Sequence, residues 1–447
     1  MQDPLLDGAT ATAILGVDTL WGGDVLDPSG AGRFIADSWF SDAPLPAAYT
    51  HPAAARLRKV GGVSGSAIDA AAVDDYLAAV DVAGAVRDLG ARSRTLGGLR
   101  GAYLEGVATS LAVMWDLAEE RLGRGPAVPY SRCVIASCGR EPEPSRPEEK
   151  RRRVAELLAR AGHPSRTATE LLAAVDAWRA ERIVPRRSIG QLGDAFIALL
   201  EEGTRRHVVP HLPPSLHGVP RSNVRFVPLE EATFSGSMNY VGRARDASGA
   251  PLYEATYELN TSLQISVPEF AGLVAHEVVP GHATTFALAQ ALHVQGRLGF
   301  EATVLTMNTR GAALFEGIAN NAILMAAGVT EVEELPDEDL QIGTLLFHLQ
   351  DDAKNQCSWL TWGEGRPQAE VAATLRADYL VSEERAEKLS GPWGRHPLLG
   401  RMYLPSYRAG TEKVAALRRE HPPGRILPAL FGVHGLVDLV TIDEALR

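Results

Sequence analysis

Four side chains in the second half of the chain could together hold a metal ion and activate water. The segment AHEVVPGHATTF, residues 275–286, carries His276, Glu277 and His282. It nearly spells the zinc-hydrolase signature H-E-x-x-H, in which histidines four apart lie about 40° around a regular helix and so share a face. Here the histidines are six apart, about 240°, and an unbroken helix would aim them to different sides. Pro280 and Gly281 stand between them. Pro280 removes a backbone donor and crowds the preceding turn, while Gly281 tolerates unusual dihedrals, so the helix is expected to distort or end there. Such a break could swing His282 back towards His276. On spacing alone two readings stay open: a metal site of altered geometry, or a helix ending at Pro-Gly with two incidental histidines.

A third ligand is offered by TMNTRGAALFEGIANNAILMA, an apolar helix into which Glu316 is inserted. A carboxylate among Ala312, Ala313, Leu314, Phe315, Ile318 and Ala319 is costly to bury without a cation or partner, and metal ligation would account for it. A solvent-facing glutamate is the alternative. Asn320, one turn on, could orient a ligating side chain from behind, and Arg310 is placed with Glu316 and Asn320 on a narrow polar face that suits a cleft. Two imidazoles, one carboxylate and an open fourth position make a hydrolytic zinc site, with Glu277 taking a proton from water and the metal polarising a carbonyl. The same donors suit iron(II) or manganese(II).

The elements that must position these residues are mostly helical. Residues from about 65 to 205 place apolar side chains three or four apart, as in YLEGVATSLAVMWDLAEERL and IGQLGDAFIALLEEG. CGREPEPSRPEEK, residues 138–150, reads as a surface loop. In HVVPHLPPSLHGVP, residues 207–220, the prolines make an irregular connection the simplest reading of a histidine cluster. NVRFVPL, FSGSMNYVGRA and LYEATYELNTSLQISV then predict a small antiparallel hairpin or sheet. SVPE, residues 266–269, is a capping box that would start the helix carrying His276. The fold class predicted is mainly α, with residues 1–220 a helical half covering the cleft and 221–447 the metal-binding half of one continuous enzyme. Tyr240 and YELNTSL would wall the substrate, since an edge strand can pair with an extended peptide. His348, with Asp351 and Asp352 nearby, reads as a core-margin histidine, and GPWGRHPLLG as a loop bordering the cleft. Gly61 and Gly62 form no phosphate-binding fingerprint.

With 55 acidic residues against 44 Lys and Arg, the formal charge is −11, which argues against nucleic acid as a partner. The run EEKRRRVAELLARAG reads as a solvated helix face. Three cysteines cannot staple 447 residues and are expected to be reduced. No stretch approaches about twenty uncharged apolar residues, so the expectation is a cytoplasmic protein with no membrane partner. The oligomeric state is left open.

HEVVPGH, FSGSMNYVG, YEATYELNTSLQISVPEF, the Glu316 helix and LPSYRAGTEKVAALR together resemble a bacterial metallopeptidase-like family of unknown function, marked by H-E-x-x-P-G-H and a C-terminal Y-[KR]-x-G segment. The resemblance covers roughly residues 220–420. It implies a zincin-like helical fold with His276, His282 and Glu316 as zinc ligands and Glu277 as general base. It also makes Tyr407 a candidate donor to a developing oxyanion, and Arg408 a candidate partner for a substrate carboxylate. Ala283 stands where many relatives carry a further histidine. The function expected is a zinc-dependent hydrolase cleaving an amide or peptide bond in a small peptide or peptide-like substrate. Its alternative is a zinc or iron metalloenzyme acting on a specialised metabolite by C–N or C–O cleavage or rearrangement.

Overall fold

Long stretches of the chain repeat apolar residues at helical spacing and cap their ends with Ser, Thr or Asp, so helices dominate. The computed structural model describes residues 3–21, 26, 35–40, 44–60, 70–230, 236–262 and 264–447, with the side chains of 58–60 set aside. Gly61, Gly62, Phe234, Ser235 and Leu263 lie outside the described residues. Helices Pro4–Trp21, Val82–Leu96 and Gly98–Arg121 pack over Ile14, Leu89, Leu111 and Met114. A larger core joins Val134 and Trp178 to Phe270, Leu346 and Leu430, and therefore spans position 220 without a seam.

The sheet beside the motif helix has three strands, Val224–Leu229, Gly236–Tyr240 and Ala255–Asn260, the last in the middle. Ala255, Tyr257 and Leu259 are buried while Thr256 and Glu258 are partly exposed, the period-two pattern of a strand with one face on the core. Met238 pairs antiparallel with Tyr257, but Phe226 pairs with the same residue in parallel. The sheet is thus mixed where an antiparallel one was predicted. Side-chain alternation is the same for both directions. Here the chain visits one edge, then the other, and only then returns to the middle through the Asp246 turn.

Three helix junctions place the candidate ligands. Ser266 caps Val267–Glu277 by accepting from the Glu269 N–H at 3.4 Å. The Glu269 carboxylate takes the Ser266 hydroxyl at 2.7 Å and Arg179 at 2.8 Å. The helix stops at Glu277, and a new one, His282–Val294, begins directly after Pro280-Gly281. A Cβ on Gly281 would lie 1.9 Å from the His276 carbonyl oxygen, so the close turn demands glycine. Thr309 caps the glutamate helix Arg310–Asn320. That helix crosses Leu404–Glu420 backbone to backbone: a Cβ on Gly317 would meet the Gly410 carbonyl oxygen at 2.2 Å. Two glycines at the crossing let Tyr403, Tyr407 and Thr411 come up beside Glu316 and Asn320.

The amino-terminal helices reach the same place through one short strand. Asp18 Oδ1 accepts from the Ile35 and Ala36 N–H groups at 2.8 Å each. The strand so anchored, Ala36–Asp37, pairs antiparallel with Leu305–Thr306.

Candidate metal centre

The Pro-Gly break makes two helices of what spacing alone would read as one, and it turns His282 back onto His276. Their ring centroids are 4.5 Å apart, edge to face. His276 Nε2 lies 3.5 Å and His282 Nε2 3.7 Å from the same oxygen, Glu316 Oε2. One ligand atom from each of the three residues lies within 4.8 Å of the others, and all three residues are buried. Ligand atoms bound about 2.1 Å from a tetrahedral ion sit about 3.4 Å apart, so the set fits a zinc-sized ion.

Each ligand is oriented from behind. Asn320 Nδ2 donates to Asp351 Oδ2 at 2.7 Å and to Thr411 Oγ1 at 2.8 Å, which fixes the amide so that its oxygen faces His276 Nδ1 at 2.7 Å. That oxygen can only accept, so Nδ1 carries the proton and Nε2 presents its lone pair to the site. Tyr403 donates its hydroxyl to Glu316 Oε1, leaving Oε2 for the imidazoles. The His282 ring stacks on Phe315 at 4.4 Å. Its Nδ1 is buried with no hydrogen-bond partner among the described residues. Asn320→Ala is expected to weaken zinc binding by about 10- to 100-fold, measured by competition with a chromophoric chelator. Unchanged affinity would reduce Asn320 to packing.

Burial dominates the electrostatics of the site. Burial, and then Lys354, push the His276 imidazole down to about 3; burial and His276 push His282 well below its ordinary value. Both are therefore neutral, as ligands must be. Burial, followed by the neighbouring Glu316 carboxylate, pushes Glu277 well above the usual carboxylate range. Lys354 is itself buried, 3.2 Å from Asp351 Oδ1 and 3.2 Å from the Tyr407 ring centroid. It sits behind the site.

The site opens into a cavity of about 310 Å³, lined by His276, Glu277, His282 and Glu316 together with Tyr403, Tyr407 and residues 236–239 of the edge strand. Glu277 Oε2 accepts the Met238 N–H at 3.2 Å, and the Tyr240 N–H goes to Ser38 Oγ at 3.1 Å. Two outward N–H groups of the edge are therefore already used. Trp393 and Leu399, from the GPWGRHPLLG segment, border the same cavity.

Three predicted substrate contacts fall elsewhere. The Tyr240 side chain points into the core, its hydroxyl donating to Gln290 at 2.7 Å and its ring stacked on Phe286 at 5.1 Å. Arg310 meets Asp438 at 3.1 Å away from the cavity, since six residues separate it from Glu316, roughly 240° of helix. Arg408 is held by Glu412 at 2.7 Å and the Pro144 carbonyl at 3.0 Å, one position and about 100° around from Tyr407. Tyr407 does line the cavity, its hydroxyl donating to Tyr403 at 3.1 Å. His348 is partly buried, its Nε2 3.3 Å from the Asn320 carbonyl oxygen, outside the cavity lining. Tyr403, Lys354 and Asp37 were not singled out by the sequence, while Glu258 lines the cavity from YELNTSL, the segment read as a substrate wall. For Tyr403 a signal existed, because it precedes Tyr407 by one helical turn.

No family model matches the chain, and no curated protein does. Among solved structures, one described as a "putative lipoprotein" from Colwellia psychrerythraea is similar at a TM-score of 0.53 and 14% identity, over 78% of this chain and 61% of that one. A "putative lipoprotein of unknown function" from Shewanella oneidensis gives 0.48 and 14% over 85% and 67%. The chain thus spans 61% of the length of the first neighbour. At that identity the first likeness is one of fold alone.

Proposed function

We propose that this chain is a zinc-dependent hydrolase of an amide or peptide bond in a short peptide or peptide-like molecule. The observation that carries this is the meeting of His276 Nε2 and His282 Nε2 on Glu316 Oε2 at 3.5 and 3.7 Å, with Glu277 beside them in the wall of a cavity. The resemblance to the H-E-x-x-P-G-H family rests on motifs and agrees with it. Zinc held by those three residues would polarise a substrate carbonyl and acidify water.

The protein's own groups would do the rest. Glu277, held by the Met238 N–H and 3.9 Å from His276 Nε2, takes the proton of the attacking water and passes it to the leaving nitrogen. Tyr407 turns its hydroxyl from Tyr403 to the developing oxyanion. Tyr403 keeps Glu316 oriented. A cavity of 310 Å³ is at the small end of ligand pockets, which suits a substrate of two or three residues better than a folded protein.

The test is metal content and hydrolysis together. Wild-type protein is expected to carry about one zinc per chain, to lose it in His282→Ala, and to cleave members of a short-peptide amide library only when loaded. Equal metal in the two proteins, or none in either, would end the reading. Iron with oxygen consumption would replace it with an iron enzyme acting on a specialised metabolite, since open positions on such a site support oxygen chemistry.

As to compartment, no helix among the described residues is long and apolar enough to cross a membrane. The three cysteines are free and buried, which suits the reducing cytoplasm. The lipoprotein description of the first neighbour points instead to a cell envelope, and fractionation of the native host decides between them.

A further inference from the structure

Lysine is almost never fully buried, because its ammonium is strongly hydrated. Lys354, on the helix Glu338–Ser358, is only 9% exposed, and burial pushes it below the ordinary lysine range. Its ammonium lies 3.2 Å from Asp351 Oδ1, one turn back on the same helix, and 3.2 Å from the ring centroid of Tyr407 on Leu404–Glu420. Tyr407 lines the cavity and Lys354 does not. The cation therefore meets the site through the ring.

An ion pair alone does not account for this placement. Asp351 already has Asn320 Nδ2 at 2.7 Å and the Thr411 hydroxyl at 3.0 Å on its other oxygen, and apolar groups in place of a buried pair are often no less stable. What an apolar residue could not supply is a fixed positive charge against Tyr407. The face of an aromatic ring attracts a cation, most strongly where water is excluded. The same charge favours negative charge on the phenol oxygen and so makes its O–H a stronger donor. A second cation, Arg385 on Glu383–Lys388, is also near enough to feel the charge of Tyr407.

Resting on the hydrolytic reading above, we infer that Lys354 is a positioning residue for Tyr407. Held by Asp351, its ammonium stays against the ring and strengthens the hydrogen bond that the Tyr407 hydroxyl gives to the oxyanion of the transition state. Asp351 has a second branch. Through Asn320 it also orients His276, so one buried carboxylate aligns a zinc ligand on one side and the oxyanion donor on the other.

The test is a double-mutant cycle between Lys354→Met and Tyr407→Phe, read as kcat, KM and zinc affinity. Lys354→Met is expected to lower kcat about tenfold, with KM unchanged and zinc binding not weakened, and to do nothing further in Tyr407→Phe. Equal losses in the two backgrounds, or a loss that follows weakened zinc binding, would overturn the inference. A second readout needs no turnover: the ultraviolet difference between each protein and its Tyr407→Phe form across alkaline pH isolates the ionisation of this phenol. It is expected at lower pH in the wild type than in Lys354→Met. No displacement would likewise overturn the inference. If Lys354→Met does not fold for want of a counter-charge to Asp351, the same two readouts compare Asp351→Asn with Asp351→Asn/Lys354→Met, in which both charges are gone. A displaced phenol without hydrolysis by the wild type would sustain the role of the lysine and remove the hydrolase. Hydrolysis with an undisplaced phenol would do the reverse.

Discussion

Glu277→Gln is expected to lower kcat for amide hydrolysis by about 10²- to 10⁴-fold while leaving the metal in place, the range a positioned general base supplies. The separation of effects follows from geometry. Glu277 ends the motif helix beside the ligand set, with Oε1 3.9 Å from His276 Nε2, whereas the three ligating groups meet at Glu316 Oε2. Glutamine keeps the side-chain shape and can still accept the Met238 N–H, but it cannot take a proton. The wild type should also show kcat/KM rising with pH as Glu277 ionises, and the variant should lose that limb. Metal analysis beside steady-state kinetics checks both. Retained turnover would remove Glu277 from the mechanism, and loss of metal with loss of activity would make it a ligand.

The residues at the centre of this site were legible because their chemistry is local in sequence. Pro280-Gly281 announces a break, and the break is what rescues the six-residue spacing of the histidines. Glu316 is conspicuous because an acid among alanines and leucines needs a reason to be there. Asn320 follows from it by one helical turn, and its contact with His276 is seen at 2.7 Å. What was not legible depends on contacts between distant segments. Nothing near Asp37 indicates that Asp18 will pin its strand against Leu305–Thr306 and carry it to the cavity wall. Lys354 looks like any helix lysine until Leu404–Glu420 lays Tyr407 over it. Arg310 was misread through helical phase, and Arg408 was carried over from the Y-[KR]-x-G resemblance although it sits one position around the helix from Tyr407: a residue close in sequence to a site residue can face the opposite way. Parallel pairing of Val224–Leu229 with Ala255–Asn260 needs the order of strands in space, and alternation carries no such information. The helical class of the fold, by contrast, is written in every apolar repeat and cap.

Stripping the metal should destabilise the protein most at alkaline pH, and the sign follows from which groups the site holds away from their ordinary protonation. His276 and His282 have folded pKa values below the ordinary 6.5, so their contribution is present above that pH and is lost as pH falls through the folded values, about 3 for His276. Glu277 is the opposite case. Its folded pKa is raised, so its contribution is present below the ordinary 4.5 and is lost as pH rises through the folded value. Metal-free protein is therefore pulled down from both sides, with its optimum in mildly acidic solution. A divalent ion beside Glu277 favours the carboxylate and removes the alkaline penalty, so binding releases a proton and tightens as pH rises. At a thousandfold excess over Kd the bound ion adds about 4 kcal/mol of stability. Melting of chelator-treated protein with and without added zinc, from pH 5 to 9, is expected to show a gap in Tm that widens with pH, and Glu277→Gln should flatten the widening. A gap of constant size would mean that Glu277 does not share its charge with the metal. No gap at any pH would mean that the buried histidine–glutamate cluster is held by the fold alone.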